Sequence, residues 1–360
     1  MIPADLVVIF FVSAVVTAIS IPIAIRASER FALLDFPGRH KRHKRPVPFL
    51  GGVVLFLALW GGIVTLTIIS DEFWRELAGP VAFVYAGAVL VFLVGLFDDL
   101  RPLSAWVKLL AEAVAGLLLF AGGLGIDPLS IPFYGEIEVG GFSALLTILW
   151  VVALTNAINL IDGLDGLAAG VSLIGAITLS IIGGLYDAWS ALVFTLPLSG
   201  FLAVFLFWNR YPARIFLGDS GALQIGYYFA VVSLLVRFKS FTAAALYVPL
   251  IALGVPLLET GLSFVRRMLS GRNVMQADRR HLFHYLGHAG LTPRQIVLFF
   301  YLLSAVFGLF ALAMFLWNRL VVFGFLVLFM VVILVGIFIF MSGSARWKRA
   351  RGNPPNGSPS

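Results

Sequence analysis

Residues 80–99 read Pro80-Val-Ala-Phe-Val-Tyr-Ala-Gly-Ala-Val-Leu-Val-Phe-Leu-Val-Gly-Leu-Phe-Asp98-Asp99. Between Pro80 and Asp98 there is no charged side chain and no amide. About 20 mostly apolar residues suffice to cross the hydrocarbon core as a helix. A helix pairs its own backbone groups, which lipid cannot do for it. The stretch therefore predicts a membrane helix that delivers two adjacent carboxylates to one surface of the bilayer. Similar runs lie near 4–25, 49–70, 106–122, 142–158, 166–185, 190–208, 220–236, 242–264, 295–317 and 320–341. Together they make eleven expected spans in an all-α, polytopic membrane helix bundle. The first run lacks a basic leader and a small-residue cleavage site, so it reads as a span and not as a signal peptide.

Composition agrees. Of 360 residues, 61% are hydrophobic and 12% are charged, whereas soluble chains carry about 25% charge. A cytosolic globule, a disordered tail protein and a secreted module are excluded. With no Cys, so are a disulfide framework, a thiolate zinc site and a thiol nucleophile. The net charge of +7 follows from positive-inside bias, so no nucleic-acid partner is expected. Eleven alternating spans place 21 Lys and Arg on one side and 4 on the other. That split puts the N-terminus outside and the C-terminus in the cytoplasm. Residues 1–345 form the expected membrane domain, and 346–360 a basic, then disordered, cytoplasmic tail. The outside segment 123–141, with Gly, Pro and alternating side chains, is a candidate hairpin.

Polar residues at span ends carry the chemistry, because a charge in the bilayer core costs roughly 2.5–3.5 kcal/mol. They concentrate in cytoplasmic segments 26–48, 98–108, 156–166, 209–220 and 265–294. Asp98 and Asp99 suit a hard cation such as Mg²⁺. The alternative is a solvated helix end with Arg101 as countercharge, although acids there oppose the helix dipole. In Asn156-Ala-Ile-Asn-Leu-Ile-Asp-Gly-Leu-Asp-Gly-Leu-Ala-Ala-Gly170, polar residues recur at Asn156, Asn159, Asp162 and Asp165. A step of three turns them progressively around a helix. The stretch is better read as a helix end, a glycine-permitted turn and a new helix near Asp165. A plain capping turn is the alternative, but it uses fewer polar residues.

In Asn209-Arg-Tyr-Pro-Ala-Arg-Ile-Phe-Leu-Gly-Asp219-Ser, Asp219 and Ser220 precede an apolar run as candidate N-caps. A helix N-terminus also favours phosphate. His281, His284 and His288 follow Arg279 and Arg280, at a spacing that predicts one helical face. Three His suggest zinc, but flanking Arg forks favour an anionic ligand; an interfacial amphipathic helix is the third option. The basic run Arg39–Arg45 binds anionic lipid or gathers phosphate, with Lys44 and, farther on, Lys108 as the lysines of interest. Acids, amides, His and Arg at one membrane surface fit a Mg-dependent site for anionic substrates. A proton relay would place acids at mid-span.

These residues resemble the bacterial polyprenyl-phosphate N-acetylhexosamine-1-phosphate transferases, the WecA/MraY-like membrane enzymes of glycosyltransferase family 4. The most specific match is Asn156-Ala-Ile-Asn-Leu-Ile-Asp-Gly-Leu-Asp-Gly-Leu. It is joined, in family order, by His43-Lys-Arg-Pro-Val-Pro with Gly51-Gly52, Asp98-Asp99, Arg214-Ile-Phe-Leu-Gly-Asp-Ser-Gly and Asp278-Arg-Arg-His-Leu-Phe-His. The histidine signature is similar to the WecA/TagO branch.

The resemblance implies an inner-membrane enzyme that moves N-acetylhexosamine-1-phosphate from a UDP-sugar to undecaprenyl phosphate and releases UMP, the first membrane step of an envelope polysaccharide. It implies catalytic roles for Asp98, Asp99, Asp162, Asp219 and His281. Asp219, with Asp98 and Asp99, is implied to face Mg²⁺, or Mn²⁺ in its place. Asn156, Asn159, Asp165, Asn209, Lys44 and Lys108 are implied on the substrates, and Arg279, Arg280 and His284 on the diphosphate or sugar. A homodimer is compatible with it. Two positions depart from the pattern: Phe283 stands where a second adjacent His is common, and Glu259 where Asp is expected. The rival class is a transporter or flippase for a phosphorylated lipid or nucleotide sugar.

Overall fold

The computed structural model describes residues 4–37, 45–131, 135–239, 247–269 and 281–351. Its helices, in chain order, are α1 (Ala4–Phe31), α2 (Gly51–Ile69), α3 (Asp71–Leu100), α4 (Ala105–Ala121), α5 (Ser143–Ile161), α6 (Leu167–Leu185), α7 (Trp189–Asn209), α8 (Gly218–Lys239), α9 (Tyr247–Ala252), α10 (Gly254–Leu269), α11 (Leu282–His288), α12 (Pro293–Leu316) and α13 (Arg319–Arg351). Two antiparallel ribbons complete it: β1 (Leu34–Asp35) with β2 (Val47–Pro48), and β3 (Leu129–Ile131) with β4 (Gly135–Ile137). The second ribbon is the hairpin expected within 123–141.

Among the described residues, eight helices are long and apolar enough to cross a membrane: α1, α2, α3, α5, α6, α7, α12 and α13. The chain is thus a multi-pass membrane helix bundle. The other three apolar runs coincide with α4, α8 and the α9–α10 pair, each short of that standard for a physical reason. Helix α4 has only 17 residues. The 242–264 run is not one helix, because it breaks at Leu253. Pro256 has no N–H to give the Ala252 carbonyl four residues back. Helix α8 carries Asp219, Ser220 and Gln224, which lower its hydropathy.

Those polar groups are tolerated because α8 lies at the centre of the bundle. Its residues 220–235 are all buried, including Tyr227, Tyr228 and Phe229 at 0% exposure. The helix packs on α2, α3, α5 and α7. Gln224 donates to the Gly52 carbonyl (3.0 Å) and to the Ser220 carbonyl (2.7 Å). Tyr227 donates to the Val84 carbonyl (3.0 Å) and Trp60 to Tyr228 (2.9 Å). An interior helix is apolar all round except where a neighbour supplies a partner. Helix α13 is the opposite case: Leu320, Phe325 and Val332 are each more than 60% exposed, as a lipid-facing helix requires. It runs past the expected end of its span, through the basic residues to Arg351. The tail beyond lies outside the described residues.

The site is set by how closely α3 approaches α8. Gly95 faces the Ser220 backbone, and a β-carbon there would overlap it. In an unconstrained helix Gly→Ala stabilises by about 1 kcal/mol. Here overpacking decides the sign, at about 1–3 kcal/mol. Gly95→Ala is expected to lower the thermal midpoint of the detergent-solubilised protein by several degrees; an unchanged or raised midpoint would remove the close-approach argument.

Candidate active site

At the C-terminal end of α3 the two adjacent aspartates part company. Asp99 accepts the backbone N–H of Asp219 (2.7 Å), the backbone N–H of Ser220 (3.0 Å) and the Ser220 hydroxyl (2.6 Å). The first turn of a helix holds N–H groups with no partner of their own, and α8 receives its cap from a different helix. Asp219 and Ser220 are therefore not the N-cap of α8 that their sequence position suggests. They lie inside the first turn, because Gly218 already begins the helix.

Asp98 turns the other way. It accepts the Leu103 N–H (2.6 Å) and the Lys108 ammonium (2.9 Å). Lys108 Nζ also lies 2.9 Å from Asp219 Oδ2. Asn159 reaches the same Asp219 oxygen from α5 at 3.5 Å. One ammonium thus joins carboxylates from two helices at the meeting point of α3, α4, α5 and α8.

One turn beyond Lys108, Glu112 is 2% exposed and accepts a short hydrogen bond from Asn156. The Asn156 amide also donates to the Val152 carbonyl (2.8 Å). Glu112 was not among the expected site residues. A carboxylate one turn from Lys108 inside an apolar run was the signal available for it.

Asp162 ends α5 as its C-cap. Burial, then the negative charges of Asp219, Asp99 and Asp165, push its carboxyl up to about 8. Burial, then the approach of Asp98, push Asp219 up to about 6 against the pull of Lys108. Burial is the larger cause of both shifts, and the neighbouring carboxylates add to it. A divalent cation would favour the ionised forms.

The donor set fits such an ion. Mg²⁺ takes one or two carboxylates and leaves its other positions to water and substrate phosphate. Asp98 and Asp219 each turn an oxygen to the point held by Lys108. Among the described residues, no group of three or more His, Asp or Glu forms a self-sufficient cage.

Asp165 and Asn209 hold a second part of the expected site together. Asp165 accepts the Ala213 N–H (2.9 Å). Asn209 accepts the Gly166 N–H (3.0 Å) and donates to the Ile215 carbonyl (2.9 Å). Tyr301 on α12 donates to the Gly166 carbonyl (2.6 Å). These bonds lock the 162–166 turn to the 210–217 loop, so the loop that delivers Asp219 is fixed to the turn that delivers Asp162.

The histidines do not share one helical face. His281 has extended dihedrals and is the N-cap of α11, so only His284 and His288 are in the helix. Glu259 explains the position of that helix: it accepts the Leu282 N–H (2.6 Å) and lies 3.7 Å from His281 Nδ1. Phe283 stacks on the His281 ring at 5.3 Å and presses on Gly163, where any β-carbon would collide with it. Of the two departures from the family pattern, Glu259 ties the histidine segment to α10 and Phe283 packs it against Gly163 of the 162–166 turn. Lys44, Arg279 and Arg280 lie outside the described residues.

Residues 81–237 match the sequence profile of glycosyl transferase family 4. The chain is 35% identical over 334 residues to a probable undecaprenyl-phosphate N-acetylglucosaminyl 1-phosphate transferase of Bacillus subtilis, covering 91% of each chain. It is 32% identical to a decaprenyl-phosphate N-acetylglucosaminephosphotransferase of Mycobacterium tuberculosis, covering 78% of this chain and 75% of the relative. It is 31% identical to an undecaprenyl-phosphate alpha-N-acetylglucosaminyl 1-phosphate transferase of Thermotoga maritima, covering 71% and 74%.

Asp99→Asn places an amide NH₂ among three donors. It is expected to cost about 1–3 kcal/mol, the price of an unsatisfied buried donor, and to appear as a lower thermal midpoint. An unchanged midpoint would mean that the cap contributes nothing.

Proposed function

Because the chain belongs to glycosyl transferase family 4, we propose that it transfers N-acetylglucosamine-1-phosphate from UDP-N-acetylglucosamine to undecaprenyl phosphate, releasing UMP. The chain is an enzyme, a phosphotransferase of that family. The observation that carries the reading is Lys108 joining Asp98 and Asp219 at the end of the capped helix α8. A binding protein or flippase needs cationic groups for phosphate. It has no use for carboxylates that repel the ligand.

In the proposed reaction an oxygen of the acceptor phosphate attacks the sugar-bearing phosphorus of the donor, and the bond to UMP breaks. Such transfers depend on alignment and charge neutralisation more than on covalent help. The acceptor is a phosphate monoester whose second pKa is near 6, so it is mostly dianionic at neutral pH. No proton has to be removed. Asp98, which accepts the Leu103 N–H and the Lys108 ammonium, is therefore a positioning residue and not a base. Lys108 holds Asp98 and Asp219 together and lowers the repulsion met by two incoming phosphates. Asp219 and Asp98 would hold Mg²⁺, which supplies charge neutralisation of the donor diphosphate. Asn159 orients Asp219. Asp162 would meet the nucleotide sugar, with Asp165 holding its turn through the Ala213 N–H, and His281 and His284 would meet the phosphates; the same role for Arg279, Arg280 and Lys44 rests on the sequence pattern alone.

The bias in Lys and Arg supports a cytoplasmic position for this end of the bundle in the inner membrane, with the N-terminus outside. A site there meets a water-soluble donor and an acceptor whose tail stays in lipid. It also explains why a phosphotransferase needs so many spans.

Purified protein given UDP-N-acetylglucosamine, undecaprenyl phosphate and Mg²⁺ is expected to release UMP. Chelation should stop release, and Asp219→Asn should lower it by roughly a thousandfold, about 4 kcal/mol. Binding of both substrates without UMP would support the transporter instead. The rate is expected to rise with pH through about 6 as the acceptor becomes dianionic. Asp98→Asn should lower the whole profile without changing its shape. A variant that recovers at high pH would make Asp98 a base.

A further inference from the structure

A second feature lies at the same end of the bundle. A pocket of about 540 Å³ opens between the end of α7, the loop that follows it and the first turns of α12. Arg210, Arg214 and Arg294 line it. Each guanidinium lies over an aromatic ring: Arg210 is 4.6 Å from Phe207, Arg214 is 5.6 Å from Trp208, and Arg294 is 5.6 Å from Tyr211. Stacking fixes the guanidinium planes and leaves their N–H edges available to an acceptor. Among the described residues none of the three is ion-paired. Asp165, the carboxylate in the pocket wall, already accepts the Ala213 N–H. Three positive charges therefore converge with one engaged negative charge.

The rim of the pocket carries exposed apolar side chains. Phe207 is 58% exposed and Leu298 is 56% exposed. From Leu298 a stripe of exposed leucines, Leu302, Leu309 and Leu316, continues along α12 at helical spacing. Cationic pockets between membrane helices suit lipid headgroups, and an adjoining apolar stripe suits an acyl chain.

We propose that this pocket binds an anionic membrane phospholipid, its phosphodiester held by Arg210, Arg214 and Arg294 and one chain lying along the α12 stripe. A soluble nucleotide would leave that stripe uncovered. The reacting phosphates are proposed at Lys108, which does not line this pocket. The bonds Asp165–Ala213 and Tyr301–Gly166 make the occupant a brace on that turn. The inference rests on the chain being a membrane protein and stands apart from the transfer reaction.

The full chain, purified in a neutral detergent, can be titrated with phosphatidylglycerol or phosphatidylcholine and the retained lipid counted by native mass spectrometry. Phosphatidylglycerol should be retained well above phosphatidylcholine. The double variant Arg210→Gln/Arg294→Gln should lose roughly thirtyfold, at about 1 kcal/mol per basic residue. Leu298→Trp, at an exposed position that leaves the arginines in place, should also weaken retention by blocking the mouth. Equal retention of the two lipids, or no loss in Leu298→Trp together with no loss in a folded double variant, would overturn the proposal. So would displacement by millimolar inorganic phosphate, which marks a soluble-anion site. Tighter, equally arginine-dependent binding of undecaprenyl phosphate would also overturn it, because the pocket would then belong to the acceptor.

Discussion

The carboxylate of Asp99 takes three hydrogen bonds from the first turn of α8, and the rest of the site hangs from that junction. The start of α8 is buried, so its unpaired N–H groups cannot turn to water. A carboxylate from α3 satisfies them and also complements the positive end of the helix dipole. The consequence is geometric. Once Asp99 is committed to α8, the adjacent Asp98 must leave α3 in another direction, and it does so toward Lys108. Asp219, carried on the capped turn, meets the same ammonium. One cap therefore sets the spacing of the carboxylates of the candidate site.

The same logic of partners sorts the whole bundle. Helix α8 keeps Gln224 and two tyrosines at 0% exposure because α2 and α3 supply carbonyls and α2 a tryptophan N–H. Helix α13, with no such neighbours, is bare Leu, Val and Phe facing outward. Polar side chains within α8 thus mark a helix held in the protein interior, while the exposed apolar side chains of α13 mark the rim. The usual soluble-protein expectation is inverted where the solvent is hydrocarbon.

Charge is also divided in space at the working end. The carboxylate cluster at Asp98 and Asp219 is bridged by a single ammonium, that of Lys108. The arginine pocket, whose wall includes Asp165 of the 162–166 turn, carries an excess of positive charge. That turn is pinned by Asn209 and Tyr301 to its backbone and by Phe283 against Gly163. A rigid turn of this kind holds Asp162 and Asp165 in place without a long loop that would have to order on each turnover.

Much was legible in the sequence because the bilayer enforces one-dimensional rules. Span length, the charge split and acids at helix ends follow from residue order alone, and they yielded the helical membrane class; the family and the reaction came from the resemblance carried by the motifs at 156–167, 214–221 and 278–284. Asp98, Asp219, Lys108 and Asn159 could be singled out because a polar group at the end of an apolar run needs a reason. Their partners could not be read from order. Asp99 and Ser220 are 121 residues apart, and Lys108 and Asp219 are 111 apart. Only packing decides which helix end meets which. The break at Leu253, the N-cap position of His281, the scaffold use of Asn209 and the part played by Glu112 depend on neighbours that local pattern does not encode. The residue types were set by the cost of charge in lipid, and their pairing by the close approach of α3 and α8.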